Sequence, residues 1–202
     1  MNNFYTRLGN DNTERLTKAK ELLNCTDSEL PFLMGQLEVE SQSFTRLREN
    51  LNYSSLSRIN AVFPRVRGEA TGAHIMNPSA LGSLLYGDVC YSGYGGIQLT
   101  WKEIHDKFFK WDNRPFKDYG EPNTDKGLRD FWRTSAYYFG LMRPKLAELP
   151  LATMSVNAIA THYGRLINRG LNSSKRVIAL ENAERVKATK FWIKVCANAS
   201  EK

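Results

Sequence analysis

The sequence predicts a mostly α-helical protein, and three observations carry that expectation. Apolar residues recur at three- and four-residue spacing over most of the 202 residues. Helix-start signals precede two of these stretches, Thr26-Asp27-Ser28-Glu29 and Asn77-Pro78. The Gly- and Tyr-rich stretch near residues 86–99 is confined to the middle of the chain, where irregular structure or a short β segment is expected.

Taken in order, residues from about Asn12 to Leu23 place Leu16, Ala19, Leu22 and Leu23 on one side of a helix. The Thr26–Glu29 capping box opens a helix from about Ser28 to Ser41. Its apolar face carries Leu33, Leu37 and, one turn later, Glu40, while Glu38 falls on the opposite, solvent side. A short helix near Ser54–Phe63 leads into a basic loop, Pro64-Arg65-Val66-Arg67-Gly68. Pro78 starts a helix ending about Tyr86. The segment Tyr86–Gly96 must be loop or a short hairpin, its glycines permitting close approach of backbone to ligand. Helical stretches follow at Thr100 to about Lys110, about Thr124 to Leu141, and about Met154 to Leu166. Asn168-Arg169-Gly170-Leu171-Asn172 breaks the chain. A last helix, about Lys175 to Ala197, uses Val177, Leu180, Val186, Phe191 and Val195 as its apolar side. No repeat, low-complexity tract or linker interrupts residues 1–202, so a single domain is expected.

Composition excludes several classes. Hydrophobic residues at 42% and charged residues at 24% rule out wholesale disorder. No apolar run reaches the roughly 18 residues of a membrane span, so no stable membrane insertion is expected. The net charge of +7 points to a polyanionic partner: nucleic acid, an anionic membrane or an anionic cell-wall polymer. Cys25, Cys90 and Cys196 are odd in number and lack metal or redox spacing, which reads as three reduced thiols. Met1–Arg7 lacks the apolar core of a secretory signal, so synthesis in the cytoplasm and another exit route are expected.

Glu40 extends an apolar stripe. Desolvation there raises a carboxyl pKa, and an acid still protonated near neutrality can serve as a general acid. The bland alternative is a helix-end Glu turned to water or paired with Arg46 or Arg48. Glu49 follows in a polar segment, Arg48-Glu49-Asn50-Leu51-Asn52-Tyr53-Ser54, or is simply a solvated surface acid. Two carboxyl groups in contrasting environments are what glycosidic hydrolysis requires: one protonates the leaving oxygen, the other activates water.

Phe32–Phe44, with Glu40-Ser41-Gln42-Ser43-Phe44 at its end, resembles the catalytic-acid helix of glycoside hydrolase family 19, which includes plant-type chitinases and bacteriophage endolysins. The endolysin branch continues with Glu-Asn-Leu-Asn-Tyr-Ser, found here at Glu49–Ser54. Asn77–Leu81, Tyr86-Gly87-Asp88, Gly93–Thr100 and Ile167–Asn172 are similar to further family elements, in the family's order. The resemblance implies a lysozyme-superfamily-like helical fold with two lobes around a cleft. It implies Glu40 as general acid, Glu49 as general base, Thr100 holding the attacking water, and Gln98 and Asn168 bonding sugar rings. Tyr53 and Tyr91 either line that cleft or pack in the core. The family inverts, which needs carboxyl groups about 6.5–9.5 Å apart. The chain departs from the family at Val39 (usually His), Gln42 and Ser43 (usually Gly-Gly), Tyr94 (usually Arg) and Ile104-His105 (usually Asn-Tyr); its loop from Tyr86 to Gly93 is shorter.

The expected function is therefore an endolysin-like hydrolase of β-1,4 bonds in peptidoglycan. It would act as a monomer without cofactor or metal, reaching the wall in the periplasm after release or from the virion. His74, His105 and His162 are scattered and suggest no metal site. A lytic transglycosylase, a chitinase and a degenerate glycan-binding virion protein remain alternatives. Nucleic acid is not an expected partner, because the basic residues are dispersed and no binding motif is present.

Overall fold

The computed structural model describes residues 3–169 and 181–200. The protein is mostly helical. The described residues form α1 (Asn12–Leu23), α2 (Leu30–Glu40), α3 (Leu56–Val62), α4 (Pro78–Tyr86), α5 (Lys102–Trp111), α6 (Asp125–Ala147), α7 (Val156–Arg169) and α8 (Asn182–Ser200). None of these is long and apolar enough to cross a membrane. The expected start of the last helix at Lys175, and Val177, Leu180, Gly170, Leu171 and Asn172, lie outside the described residues.

The chain divides into two compact units. The first comprises the described residues within Met1–Leu47, Gly95–Ile97 and Gly120–Lys202; the second comprises Arg48–Tyr94 and Gln98–Tyr119.

In the first unit the local signals act as the sequence expects. Thr26 and Glu29 form a reciprocal capping box: the Glu29 N–H donates to Thr26 Oγ1 at 3.2 Å, and the Thr26 N–H to Glu29 Oε2 at 2.9 Å. Leu30, Leu33, Met34 and Leu37 are buried. α2 packs mainly on α8, and Gly35 shows how closely. A Cβ there would lie 2.7 Å from both the backbone N and the Cα of Thr189, so only glycine lets the two backbones approach.

This contact corrects two expectations. The buried side of α8 is Arg185, Ala188, Thr189 and Trp192, whereas Phe191 is 54% exposed and Val186 only half-buried. Arg185 and Trp192 turn inward there because α2 supplies their hydrogen-bond partners, Gln36 and Glu40 for the guanidinium and Glu38 for the indole, while Thr189 lies against Gly35. Glu38 is not a solvent residue either: it is half-buried and accepts the Trp192 indole N–H at 2.6 Å. A third correction concerns Asn168, which lies in the last turn of α7, not in a chain break. Leu166 is buried and its carbonyl accepts the Tyr138 hydroxyl of α6 at 2.9 Å, so packing carries the helix past the expected end. α6 likewise runs on through Pro144, which sits on its exposed side.

The second unit is built on a small core of Leu51, Ile59, Val66, Leu81 and Leu85, edged by Tyr53, Phe63 and Tyr86. The Asn77 side chain caps α4 by accepting the Ala80 N–H, with Pro78 at the first helical position. The Gly/Tyr segment is not a hairpin. It holds a 3-10 turn, Val89–Tyr91, and isolated antiparallel bridges pairing Tyr94 with Leu99 and with Arg48.

Candidate functional site

Glu40 ends α2. Its Oε1 accepts Arg185 Nη2 at 2.7 Å, with the Arg185 side chain 1% and the Glu40 side chain 15% exposed. Arg185 Nη1 donates to Gln36 Oε1 at 3.1 Å, and Gln36 Nε2 to the Ala160 carbonyl at 3.3 Å. One polar chain thus ties α7, α2 and α8 together under the carboxyl group. Burial pushes the Glu40 pKa above the usual carboxylate value, and Glu181 adds to this. Arg185 opposes it without cancelling it. Nothing in the sequence marks Arg185, because it is on the face of α8 that apolar periodicity passes over.

The backbone after Glu40 is unusual. Gln42, Ser43 and Phe44 have φ of 51°, 59° and 62°, three successive non-glycine residues in the left-handed region. The chain holds this left-handed run without glycine, at roughly 1–2 kcal/mol per residue. The Ser43 N–H to the Glu38 carbonyl at 2.7 Å and the Phe44 N–H to Ser41 Oγ at 3.0 Å hold it. So does the buried Phe44 ring, packed on Phe131, Trp132 and Trp192.

In the second unit, Glu49 is half-buried, and neutral donors hold its carboxylate. The Tyr86 hydroxyl lies 2.9 and 3.1 Å from its two oxygens, and the Gly93 N–H lies 3.1 Å from Oε2. The Glu49 N–H returns to the Gly93 carbonyl at 2.7 Å. A Cβ on Gly93 would lie 3.2 Å from Glu49 Cβ and 2.9 Å from Gln98 Oε1. Glycine there lets both Glu49 and Gln98 approach the space a side chain would fill. Burial and the Glu49 charge push the Tyr86 pKa far up, so its hydroxyl stays a donor. The sequence marked Tyr86 as part of a motif but gave it no role; only tertiary pairing shows that it addresses Glu49.

Thr100 donates its hydroxyl to the Gln98 carbonyl at 2.9 Å, which places both in one tight turn. Tyr53 belongs to the small core edge, its ring 5.6 Å from Phe63. Tyr91 is buried, packed on His105 and Phe116, and is not among the groups gathered at Glu49. Glu40 and Asn168 belong to the first unit. Tyr94 is buried, and the Arg48 guanidinium lies 4.7 Å over its ring.

His105 anchors the Gln98–Thr100 turn. It is 0% exposed; its Nε2 lies 2.8 Å from the Leu99 carbonyl and its Nδ1 2.9 Å from the Tyr119 hydroxyl. The neutral ring satisfies both, donating to Leu99 and accepting from Tyr119. Burial lowers its pKa from 6.5 to about 4. The unfolded chain therefore binds the proton first on acidification, and stability present above pH 6.5 is lost as pH falls toward 4. The expected loss is roughly 3 kcal/mol. Urea melts at pH 7 and 4.5 should show it in the wild type, with the pH slope reduced in His105→Asn.

Among the described residues no group of three or more His, Cys, Asp or Glu is placed to hold a metal. Cys25, Cys90 and Cys196 are free and half-buried, and burial pushes the Cys25 thiol up to about 12 and Cys196 to about 11. In comparison with known proteins, the chain matches no family model and no curated protein sequence.

Proposed function

We propose that the protein is a muralytic glycoside hydrolase that cleaves β-1,4 bonds between amino sugars of peptidoglycan, with Glu40 as general acid and Glu49 as general base. The observation that carries this reading is the contrast between the two carboxyl groups. Glu40 is largely desolvated and shifted toward its protonated form, as a proton donor to a leaving oxygen must be. Glu49 is held as an acceptor by a tyrosine hydroxyl and a backbone N–H, with Gln98 beside it. Protonation of the glycosidic oxygen by Glu40 lets the C–O bond break. Glu49 takes a proton from the water that attacks the anomeric carbon, and each group ends in the other's protonation state.

The strained Gln42–Phe44 backbone at the family's Gly-Gly position supports the same reading. The +7 charge then favours a polyanionic wall. In this proposal the protein acts as a monomer on the wall from the periplasmic side, after release or from the virion, for bacterial lysis.

Mass spectrometry of purified wall digested by the wild-type protein tests the reaction. Fragments with reducing-end amino sugars are expected, and the sugar at that end identifies the bond. Anhydro-sugar ends would assign a transglycosylase instead. Turnover confined to N-acetylglucosamine oligomers would assign a chitinase, and wall binding without cleavage would sink the enzyme reading.

A further inference from the structure

Trp101 is in an unusual position. Its φ is 77°, a left-handed value rare for a bulky residue, yet the residue is 47% exposed. The backbone is held on both sides: its N–H donates to the Tyr91 carbonyl at 2.9 Å, and its carbonyl accepts the N–H groups of Ile104 and His105, both at 3.1 Å. A conformation of this kind costs on the order of 1–3 kcal/mol and persists only where its surroundings enforce it. Here the enforced outcome is a large aromatic surface kept outside the core.

A cation lies on that surface. Arg65, in the turn after α3, places its guanidinium 4.5 Å from the Trp101 ring centroid and 5.3 Å from that of Tyr86. Nη2 donates to the Leu85 carbonyl at 3.1 Å, which fixes the plane of the fork. No acidic side chain among the described residues pairs with it, and Nε and Nη1 make no hydrogen bond to any of them. Tyr86 meets Trp101 edge-on, ring centroids 5.2 Å apart, and the same Tyr86 donates to Glu49. One ring therefore separates the cation–indole pair from the carboxylate assigned as base.

We propose that Arg65 and Trp101 form a subsite for a carboxylate-bearing amino sugar, and that this subsite selects wall glycan over chitin. The exposed indole offers an apolar face to the C–H side of a pyranose ring. The guanidinium, held flat with donors unused, suits a carboxylate, which takes charge-assisted bonds from such a fork. A muramic acid unit supplies that group, either as its own lactyl carboxylate in peptide-free strands or through its stem peptide in native wall. N-acetylglucosamine polymers have no carboxylate there. This inference rests on the wall-glycan reading above and deepens it.

Binding tests the subsite independently of turnover. Three tetrasaccharides are titrated into the wild type, Arg65→Gln, Arg65→Lys and Trp101→Leu: one with stem peptides, one peptide-free with lactyl carboxylates, and one of N-acetylglucosamine alone. Calorimetry should show the wild type preferring a carboxylate-bearing ligand by about 10–100-fold, as expected for hydrogen bonds to a charged group. The ligand that carries the preference identifies the source of the carboxylate. Arg65→Gln should remove the preference while leaving N-acetylglucosamine binding unchanged, and Arg65→Lys should restore part of it. Trp101→Leu should weaken all three. Equal affinity of the wild type for all three ligands, or a preference retained in Arg65→Gln, would overturn the subsite. A preserved preference with no cleavage of wall would leave the subsite standing and sink only the hydrolase reading. Thermal melts of each variant check folding, and Arg65→Lys carries the test if Arg65→Gln fails to fold.

Discussion

Glu40→Gln is expected to lower kcat/KM on purified wall by about 10²–10⁴-fold, the loss typical of removing a positioned general acid. The amide keeps the volume and can still accept Arg185 Nη2, but it has no proton to give to the leaving oxygen. Glu49→Gln should cause a loss of similar order by removing the base. A transglycosylase, which relies on one carboxyl group, would be indifferent to Glu49→Gln. The pH profile gives a second readout. Because burial holds the Glu40 pKa above the ordinary value, the alkaline limb of kcat/KM should lie above the usual Glu range. Removing the opposing cation, as in Arg185→Met, should move that limb higher still. Clearing of permeabilised cells at undiminished rate by Glu40→Gln would end its assignment as the acid.

Arg185→Met is expected to destabilise the first unit by about 3–5 kcal/mol near neutral pH, because it strands a buried carboxylate and leaves Gln36 without its donor. The loss should depend on pH in a defined sense. Without Arg185, burial raises the folded-state pKa of Glu40 further above its unfolded value. The folded protein then binds the proton more readily than the unfolded chain. Its deficit should be small below the unfolded pKa of about 4.5 and grow as pH rises through the folded value. Urea midpoints at pH 4 and pH 8 measure this difference. The double variant Arg185→Met/Glu40→Gln, which removes both charges, should recover much of the stability. A deficit independent of pH in the single variant would show that packing of the arginine stem, and not its charge, is what the fold requires.

These two expectations differ in how far the sequence revealed them. Glu40 was visible because it continues the Leu33–Leu37 stripe and precedes Ser41 and Phe44 in a recognisable order. Arg185 was not, since a basic residue at helical spacing reads as a solvated face. Its burial depends on Gly35 letting α8 approach α2 until Gln36 and Glu40 come within hydrogen-bond reach. Phe191 misled for the complementary reason. Apolar spacing alone turns Phe191 inward, but the buried face of α8 carries Arg185, Ala188, Thr189 and Trp192, whose indole is held by Glu38 of α2. Glu49 was placed in a polar segment, and the structure adds Tyr86 and Gly93 as its donors, from residues 37 and 44 positions away.

What the sequence by itself determined is local. α1, α4 and the opening of α2 follow from capping residues, Pro at the first helical position and apolar spacing, because those signals act within one or two turns. It also determined the irregular character of the Gly/Tyr segment and the candidate carboxyl groups. Tertiary structure alone decided which face of α8 is buried, which cation meets Glu40 and which hydroxyl meets Glu49. It also decided that Trp101 is held outward under Arg65. Each of these depends on backbones approaching from distant parts of the chain. The energy of a buried polar group is set by the partner it finds there, which no local pattern encodes.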